Sequence, residues 1–330
     1  MFKNYNDLYI FFYTIIIIII SLRFAKNINL IDKANYRKKH KIDSALIGGL
    51  VFAFSLIYVL FLDDFSNELN YIIIGSILIS IVGFVDDKYD LKPLNKLILQ
   101  LFPIFFIINN GQTLKSLGNY EIVGYLDLGS LSIIFSLLAV FLFVNASNYL
   151  DGKDGNLLTL LISINLIFKF LFSDNYEISK IINYIISISI ALLIFNLINI
   201  RKYKLFLGDS GSLLIGFYLA FFLIYCSNNT DVHPIILAST ICIFIYDFLA
   251  VSLERFFSKR KIFKPDNMHI HHLINLKFNS NIISLILINF LNLSFFVCNY
   301  FIFSYNSLFA FINYILMFLI YLYLRKVLKS

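Results

Sequence analysis

Residues 210–227 read SGSLLIGFYLAFFLIYCS, a run of eighteen residues without a charged side chain. A helix needs about 20 apolar residues to cross the hydrocarbon core of a bilayer, so this run predicts a membrane-spanning helix. Similar runs recur along the 330-residue chain, which is 59% hydrophobic and only 14% charged. Such an apolar excess has to face lipid. Eleven spans are predicted, at 8–24, 46–62, 69–85, 97–108, 131–147, 157–172, 180–199, 210–227, 234–252, 280–301 and 307–324.

The basic residues divide the connections between these runs into two groups. Connections on one side carry 23 of the 27 Lys and Arg residues, whereas 63–68 has none and 109–130 has one. The positive-inside rule then places the N-terminus outside and the C-terminus in the cytosol. The predicted fold is an all-α, polytopic membrane bundle of about eleven helices, forming one domain over 1–330. The segment 117–129, LGNYEIVGYLDLG, predicts a small extracellular β-hairpin.

Four polar clusters lie in connections that this topology places in the cytosol. If the helix of the first cluster continues, Asp86 and Asp90 share one face because they lie four residues apart. Asp209 stands at the predicted start of a helix, where backbone N–H groups favour anions. The clusters are GFVDDKYDLKPLNK at 83–96, NASNYLDGKDG at 145–155, FLGDSGS at 206–212 and PDNMHIHH at 265–272.

Each cluster also has a simpler explanation. A single aspartate at a membrane boundary is commonly a solvated loop end, lysines there commonly only set topology, and the histidines could be a fortuitous loop sequence or a zinc site. A functional site is favoured because all four clusters converge on one membrane face, where charges are costly. Carboxylates beside lysines, without cysteines, suit Mg²⁺ shared with substrate phosphates, and such a site is typical of phosphoryl transfer.

Taken in chain order, these motifs resemble the polyprenyl-phosphate N-acetylhexosamine-1-phosphate transferases, within glycosyltransferase family 4. The similarity begins with IDKANYRKKHKIDSALIGGL at 31–50 and ends with FKPDNMHIHH at 263–272. Between them it passes through GFVDDKYDLKPLNK, NASNYLDGKDG and FLGDSGS. That last loop is closer to the branch that uses UDP-N-acetylhexosamines, such as the bacterial undecaprenyl-phosphate GlcNAc-1-phosphate transferases, than to the muramyl-pentapeptide branch. The chain departs from the family pattern before the Gly48–Gly49 pair, at Asn156 and after His272.

The resemblance implies a role for each matching residue. Asp209 would be the main Mg²⁺ ligand with Asn148 as a second, and Mn²⁺ could substitute for Mg²⁺. Asp86 and Asp87 would lie at the lipid phosphate, which Lys96 would hold. Asp151 and Asp154 would have catalytic roles near the nucleotide and the metal. The residues implied to bind substrate are Gly48, Gly49, Asn145, Asn196, His269, His271 and His272.

The resemblance also implies the reaction. An oxygen of undecaprenyl (polyprenyl) phosphate would attack the β-phosphorus of a UDP-sugar and release UMP, which would initiate a cell-surface glycan such as O-antigen or teichoic acid. The expected location is the bacterial inner membrane with the site on the cytosolic face, in a possible homodimer without a nucleic-acid partner. Two alternatives stay open: the phospho-N-acetylmuramoyl-pentapeptide transferase of peptidoglycan synthesis, and a polytopic transporter, which would place its acidic residues near mid-membrane.

Overall fold

The computed structural model describes residues 5–27, 30–32, 44–151, 155–198, 204–258 and 268–329. Within these ranges the chain is predominantly helical, as predicted. The helices are α1 (Asn6–Phe24), α2 (Gly48–Leu62), α3 (Asn67–Tyr89), α4 (Pro93–Asn109), α5 (Ser132–Leu150), α6 (Asn156–Leu171), α7 (Tyr176–Leu197), α8 (Gly208–Asn229), α9 (Pro234–Thr240), α10 (Cys242–Phe257), α11 (Ile270–Phe278), α12 (Asn281–Phe303) and α13 (Ser307–Lys329). The strands are β1 (Ile31–Asp32), β2 (Ser44–Leu46), β3 (Ser116–Tyr120), β4 (Gly124–Asp127) and β5 (Lys204–Phe206).

The predicted class, an all-α polytopic membrane protein, is confirmed. In the described part of the chain, seven helices are long and apolar enough to cross a membrane, and the bent pair α9–α10 makes an eighth candidate. The apolar helices α2, α4 and α6 are shorter than these. Every predicted apolar run coincides with helix. The count of eleven crossings and the orientation of the termini stay predictions.

Helix α8 is the centre of the bundle. Its apolar window is 94% buried, and it packs against α2, α3 and α5. Two glycines allow the close approach: a Cβ on Gly83 would lie 2.4 Å from the Cα of Ser210, and one on Gly49 would lie 2.1 Å from the backbone N of Gly211. Because neither position has room for a methyl group, the start of α8 is fixed tightly between α2 and α3.

A small sheet fixes the same end of the bundle. Strand β2 pairs antiparallel with β1 and parallel with β5, with Ala45 opposite Leu205. Each of the two parallel strands leads directly into a helix, β2 into α2 and β5 into α8. The N-termini of α2 and α8 are therefore neighbours, and the N–H of Gly49 donates to the carbonyl oxygen of Leu207 at 2.9 Å.

The opposite end carries the predicted hairpin. Strands β3 and β4 pair antiparallel, with Asn119 opposite Tyr125. This confirms the hairpin, while its extracellular location stays a prediction. We call the end of the bundle that contains Asp86 and Asp209 the carboxylate end, and the end that contains β3, β4 and Asp63 the hairpin end.

The predicted span at 234–252 is broken. Helices α9 and α10 meet at Ile241 with a bend of 74°. The backbone groups freed by the break need partners inside a bilayer. Asn292 of α12 supplies them, donating from Nδ2 to the carbonyl oxygen of Thr240 at 2.8 Å and accepting at Oδ1 from the N–H of Ile243 at 3.4 Å.

Candidate active site

The carboxylate end is organised around one lysine. The Nζ atom of Lys96 lies 2.9 Å from Oδ2 of Asp86 and 2.5 Å from Oδ2 of Asp209. The three side chains come from the end of α3, the first turn of α4 and the first turn of α8. Only 15% of the Lys96 side chain and 10% of that of Asp86 are exposed, whereas 34% of Asp209 is exposed. Asp209 is therefore the carboxylate most open to a ligand.

The turn between α3 and α4 explains why Lys96 reaches both carboxylates. Helix α3 ends at Tyr89, and Asp90 follows in the left-handed conformation with φ of +49°. The predicted shared face of Asp86 and Asp90 is therefore wrong, because Asp90 has left the helix. Instead Oδ1 of Asp86 accepts a hydrogen bond from the N–H of Leu91 at 2.9 Å, and Pro93 starts the next helix.

Asp87 is turned toward the backbone of α8. Its carboxylate accepts the N–H of Asp209 at 2.8 Å and the N–H of Ser210 at 3.0 Å. A carboxylate at this position satisfies donors that the helix itself cannot pair, and it complements the positive end of the helix dipole. Gly208 has φ of +72°, and a Cβ there would lie 2.6 Å from Oδ2 of Asp87. Asp87 thus fixes the backbone from which Asp209 projects.

Asn148 completes the surroundings of Asp209. Its Nδ2 donates to Oδ1 of Asp209 at 2.7 Å and to the hydroxyl of Ser212 at 2.9 Å. The next residue, Tyr149, stacks on the ring of His269 with centroids 5.2 Å apart. The end of α5 therefore connects the carboxylates to the histidine segment.

The donor chemistry of the carboxylate end fits Mg²⁺. Oxygen ligands from Asp209, and from Asn148 after rotation of its amide, are of the kind that Mg²⁺ prefers, and Mg²⁺ is usually held by only one or two carboxylates plus substrate phosphates. Two carboxylates, Asp86 and Asp209, face the ammonium group of Lys96, and a third, Asp87, binds the adjacent backbone. In the described part of the chain no group of three or more His, Cys, Asp or Glu residues is placed to hold a metal by itself.

The histidine segment, residues 268–272, is anchored by a buried aspartate of α10. Nδ1 of His269 lies 2.7 Å from Oδ2 of Asp247, and both side chains are buried. The rings of His271 and His272 lie with centroids 4.0 Å apart at the start of α11. His271 is buried, whereas His272 is partly exposed.

Comparison with known proteins identifies the family. A family model described as glycosyl transferase family 4 matches residues 69–227. A relative from Yersinia pestis, named undecaprenyl-phosphate alpha-N-acetylglucosaminyl 1-phosphate transferase, is 31% identical over 281 residues, covering 81% of this chain and 75% of the relative. The chain belongs to glycosyl transferase family 4. Proteins with the same name from Escherichia coli K12 and Haemophilus influenzae are each 28% identical, covering 80% and 75% of this chain and 74% and 72% of their own lengths.

Four other residues predicted from the resemblance have observed contacts with groups other than Lys96. Gly48 and Gly49 are buried where α2 meets the start of α8, so their observed contacts are those of helix packing. Asn145 donates to the side chain of Gln100 at 3.1 Å, and Asn196 donates to the carbonyl oxygen of Leu205 at 2.8 Å. Substrate contact by these four residues stays a prediction for this family 4 member.

The second DG motif is only partly described. Asp151 directly follows α5 and is partly exposed, one turn beyond Asn148. Gly155, with φ of +75°, precedes α6, so the chain does break its helix here as the glycines predict. Asp154 lies outside the described residues.

Sequence reasoning missed three residues at the histidine segment. Asp247 lies in the middle of α10, and Tyr321 and Arg325 lie on the last helix, α13. All three are buried, and both α13 side chains donate to Oδ1 of Asp247, at 2.8 Å from the Tyr321 hydroxyl and 2.7 Å from Nη1 of Arg325. An aspartate inside the apolar run 234–252 was the available signal, since such a charge is costly in a membrane. In the sequence, Arg325 counted only as one of the basic residues that set the topology.

An apolar cavity runs along the bundle of this family 4 protein from the hairpin end toward the end of α5. It has a volume of about 350 Å³ and is lined by the segment that leads into β3, α5, the second half of α8 and both halves of the broken span. The walls include Phe143 and Ala146, and Ala146 lies two residues before Asn148 on α5. An almost wholly hydrocarbon lining suits an apolar chain and excludes a polar substrate.

Proposed function

We propose that this protein transfers N-acetylhexosamine-1-phosphate from a UDP-sugar to undecaprenyl phosphate and releases UMP. The observation that carries the proposal is the contact of Lys96 with both Asp86 and Asp209 at a helix N-terminus, in a family 4 chain. The three relatives reported above carry the name of this activity, which favours an N-acetylglucosamine donor over the muramyl-pentapeptide alternative. At the carboxylate end, Asp86, Asp87 and Asp209 lie at helix ends rather than at mid-membrane, which disfavours the transporter alternative. The mid-helix Asp247 is paired with Arg325 and His269.

In the proposed step, an oxygen of the carrier phosphate forms a bond to the β-phosphorus of the donor. The bond between that phosphorus and the bridging oxygen breaks, and the bridging oxygen leaves with UMP. Mg²⁺, held by Asp209 and Asn148, would neutralise charge on the diphosphate. Lys96 binds the carrier phosphate, and its position between two carboxylates keeps the ammonium charged and oriented.

Asp86 orients the nucleophile rather than removing a proton from it. A phosphate monoester has a second pKa of about 6, so the carrier phosphate is mostly a dianion at neutral pH. A general base then adds little to its reactivity. Asp86 is fixed by the N–H of Leu91 and by Lys96, which suits an orienting group. Asp87 acts through the backbone of α8, and Asp151 with Asp154 would lie by the nucleotide.

The location of each substrate follows from the two sides of the site. The hydrocarbon chain of the carrier would lie in the 350 Å³ apolar cavity, whose wall on α5 reaches Ala146, two residues before Asn148. The UDP-sugar would enter from the cytosol, because the positive-inside rule assigns the basic connections at this end to the cytosolic face of the inner membrane. A homodimer stays a prediction.

The test is UMP release by purified protein in detergent, supplied with undecaprenyl phosphate and a panel of UDP-sugars. The panel contains UDP-GlcNAc, UDP-GalNAc and UDP-MurNAc-pentapeptide, each with Mg²⁺ and with EDTA. Release that needs lipid, Mg²⁺ and one N-acetylhexosamine donor supports the proposal. Release with the muramyl donor alone, or release without lipid, contradicts it.

A further inference from the structure

The buried group formed by Asp247, Tyr321 and Arg325 is not used in the proposed reaction, yet it contacts the histidine segment at three points. Arg325 Nη2 donates to the carbonyl oxygen of Met268 at 2.8 Å. The N–H of Ile270 donates to Oδ1 of Asp247 at 3.0 Å, and His269 contacts Oδ2. The backbone on both sides of His269 is therefore held along with its ring.

The two oxygens of Asp247 have different partners. Oδ1 accepts three hydrogen bonds, from Ile270 N–H, Tyr321 O–H and Arg325 Nη1–H, whereas Oδ2 faces the ring nitrogen of His269. An ionised carboxylate can only accept, so Nδ1 of His269 must carry the hydrogen. In the neutral ring the lone pair is then on Nε2, a buried atom that has no hydrogen-bond partner among the described residues.

We propose that Asp247 and Arg325 are positioning residues that fix the Nδ1–H tautomer of His269 and leave its Nε2 for the sugar-diphosphate donor. This inference rests on the proposed function. Tyr149 supports it, because its ring stacks on His269 while its neighbour Asn148 contacts Asp209. Asp247 and Arg325 thus position a histidine that lies next to the residues proposed to hold the metal. Arg325 belongs to α13, a helix outside the region that the family model matches.

The substitution Asp247→Asn tests the tautomer with almost no change in shape. The amide oxygen must stay toward the backbone N–H of Ile270 and the guanidinium of Arg325, because both are obligatory donors. The amide NH₂ then faces Nδ1 of His269, which has to become the acceptor. The neutral ring is forced to carry its hydrogen on Nε2, the reverse of the tautomer in the wild-type protein.

Two readouts are measured on detergent-purified, full-length protein. The first is ¹⁵N NMR of histidine-labelled protein, with the His269 signals assigned by their loss in His269→Gln. We expect Nδ1–H in the wild type and Nε2–H in Asp247→Asn. The second is steady-state kinetics, in which Asp247→Asn lowers kcat/KM for the UDP-sugar by about 10- to 100-fold, the usual cost of losing a residue that orients a histidine. The KM for undecaprenyl phosphate stays within about 2-fold of the wild type.

Glu254→Gln is the matched control. Glu254 accepts from the other terminal nitrogen of Arg325, Nη2, at 3.1 Å, whereas the contact of His269 is with Asp247, so the same arginine loses a carboxylate partner without a change at the ring. We expect wild-type tautomer and kinetics. Should Asp247→Asn fail to fold, Arg325→Lys replaces it: a lysine cannot reach both Asp247 and Met268, so the donor KM should rise while the lipid KM does not.

An unchanged tautomer in Asp247→Asn overturns the proposal, as does an unchanged kcat/KM for the UDP-sugar or a KM for undecaprenyl phosphate that changes as much as the donor KM. The NMR result needs no turnover. If wild-type protein releases no UMP from any donor, the proposed function fails while the tautomer measurement still gives its own answer.

Discussion

Two lysines at opposite ends of the bundle show the difference between a site and a structural ion pair. At the hairpin end, Lys180 of α7 pairs with Asp63, whose carboxylate also accepts from the Tyr184 hydroxyl and from Asn6 at 3.4 Å. One carboxylate there meets one ammonium and two neutral donors. At the carboxylate end, Lys96 faces both Asp86 and Asp209, with Asp87 bound to the adjacent backbone.

The two ends differ in the balance between carboxylates and ammonium groups. A balanced pair such as Asp63 with Lys180 joins α1, α2 and α7 and requires nothing further. Among the described residues, the carboxylates of Asp86 and Asp209 share the ammonium of Lys96, which leaves a local excess of negative charge that a bound cation would offset. The carboxylate end is therefore suited to a metal and a phosphate, whereas Asp63 at the hairpin end already has a cationic partner.

The largest expected effect comes from neutralising Asp209. Asp209→Asn should lower Mg²⁺-dependent UMP release by about 10³-fold, the scale of removing a group that stabilises transition-state charge. The bundle should still fold, because Asp87 continues to hold the start of α8. The matched control is Asp63→Asn, which should leave the rate per folded molecule unchanged. Retained turnover of Asp209→Asn at ordinary Mg²⁺ would contradict the metal role.

Replacing each lysine by methionine distinguishes the functional role of Lys96 from the structural role of Lys180. Lys96→Met should lower kcat/KM for undecaprenyl phosphate by about 100-fold, because the carrier phosphate loses its charged partner. Lys180→Met should instead lower the unfolding free energy by about 2 kcal/mol, since Asp63 is left partly buried without its ion pair. Thermal unfolding and UMP release on both variants check this. A similar loss of activity in both would remove the distinction.

A smaller effect is expected at Asp86. Asp86→Asn should lower activity by about 10-fold, and by the same factor at every pH from 7 to 9, because the carrier phosphate is already ionised over that range. The measurement is a pH profile of UMP release for wild type and variant. Recovery of the variant at high pH would instead show that Asp86 acts as a base.

The smallest effect is expected at the hairpin end. The Ser307 hydroxyl and the N–H groups of Ser307 and Leu308 donate to Glu121, which lowers the pKa of its carboxyl from 4.5 to about 2. Since the folded pKa is depressed, this contact stabilises the hairpin above pH 4.5 and weakens as the pH falls toward 2. Amide hydrogen exchange at Ser307 and Leu308 should accelerate over that window. In Glu121→Gln the acceleration should already be present at pH 7, with UMP release unchanged.

The helices could be predicted from sequence because a membrane span leaves a signal about 20 residues long. The small sheet could not, since strands of two or three residues are too short for a periodic pattern, and β2 pairs with β5 at a separation of 160 positions. The bend at Ile241 was also missed. The apolar run continues through it, and its stabilising partner, Asn292, lies on another helix.

The candidate site was predicted in the same uneven way. Asp86, Lys96, Asn148 and Asp209 do come together, although they belong to three separate motifs. The helical face expected for Asp90 was wrong because one left-handed residue ends α3. Asp247 and Arg325 were missed because the two residues lie 78 positions apart, and neither belongs to a motif. Pairing over such distances is set by helix packing, which a single sequence does not display.

The parallel pairing of β2 with β5 also sets an order of events during synthesis. Ser44 pairs with Lys204, 160 positions later in the chain, so the strand that precedes α2 has to wait for the strand that precedes α8. Until α8 leaves the ribosome and enters the membrane, Asp86, Asp87 and Lys96 have no Asp209 to contact. A nascent chain interrupted before β5 therefore leaves Asp87 without the N–H groups of Asp209 and Ser210, although Asp86 and Lys96 are already present to pair.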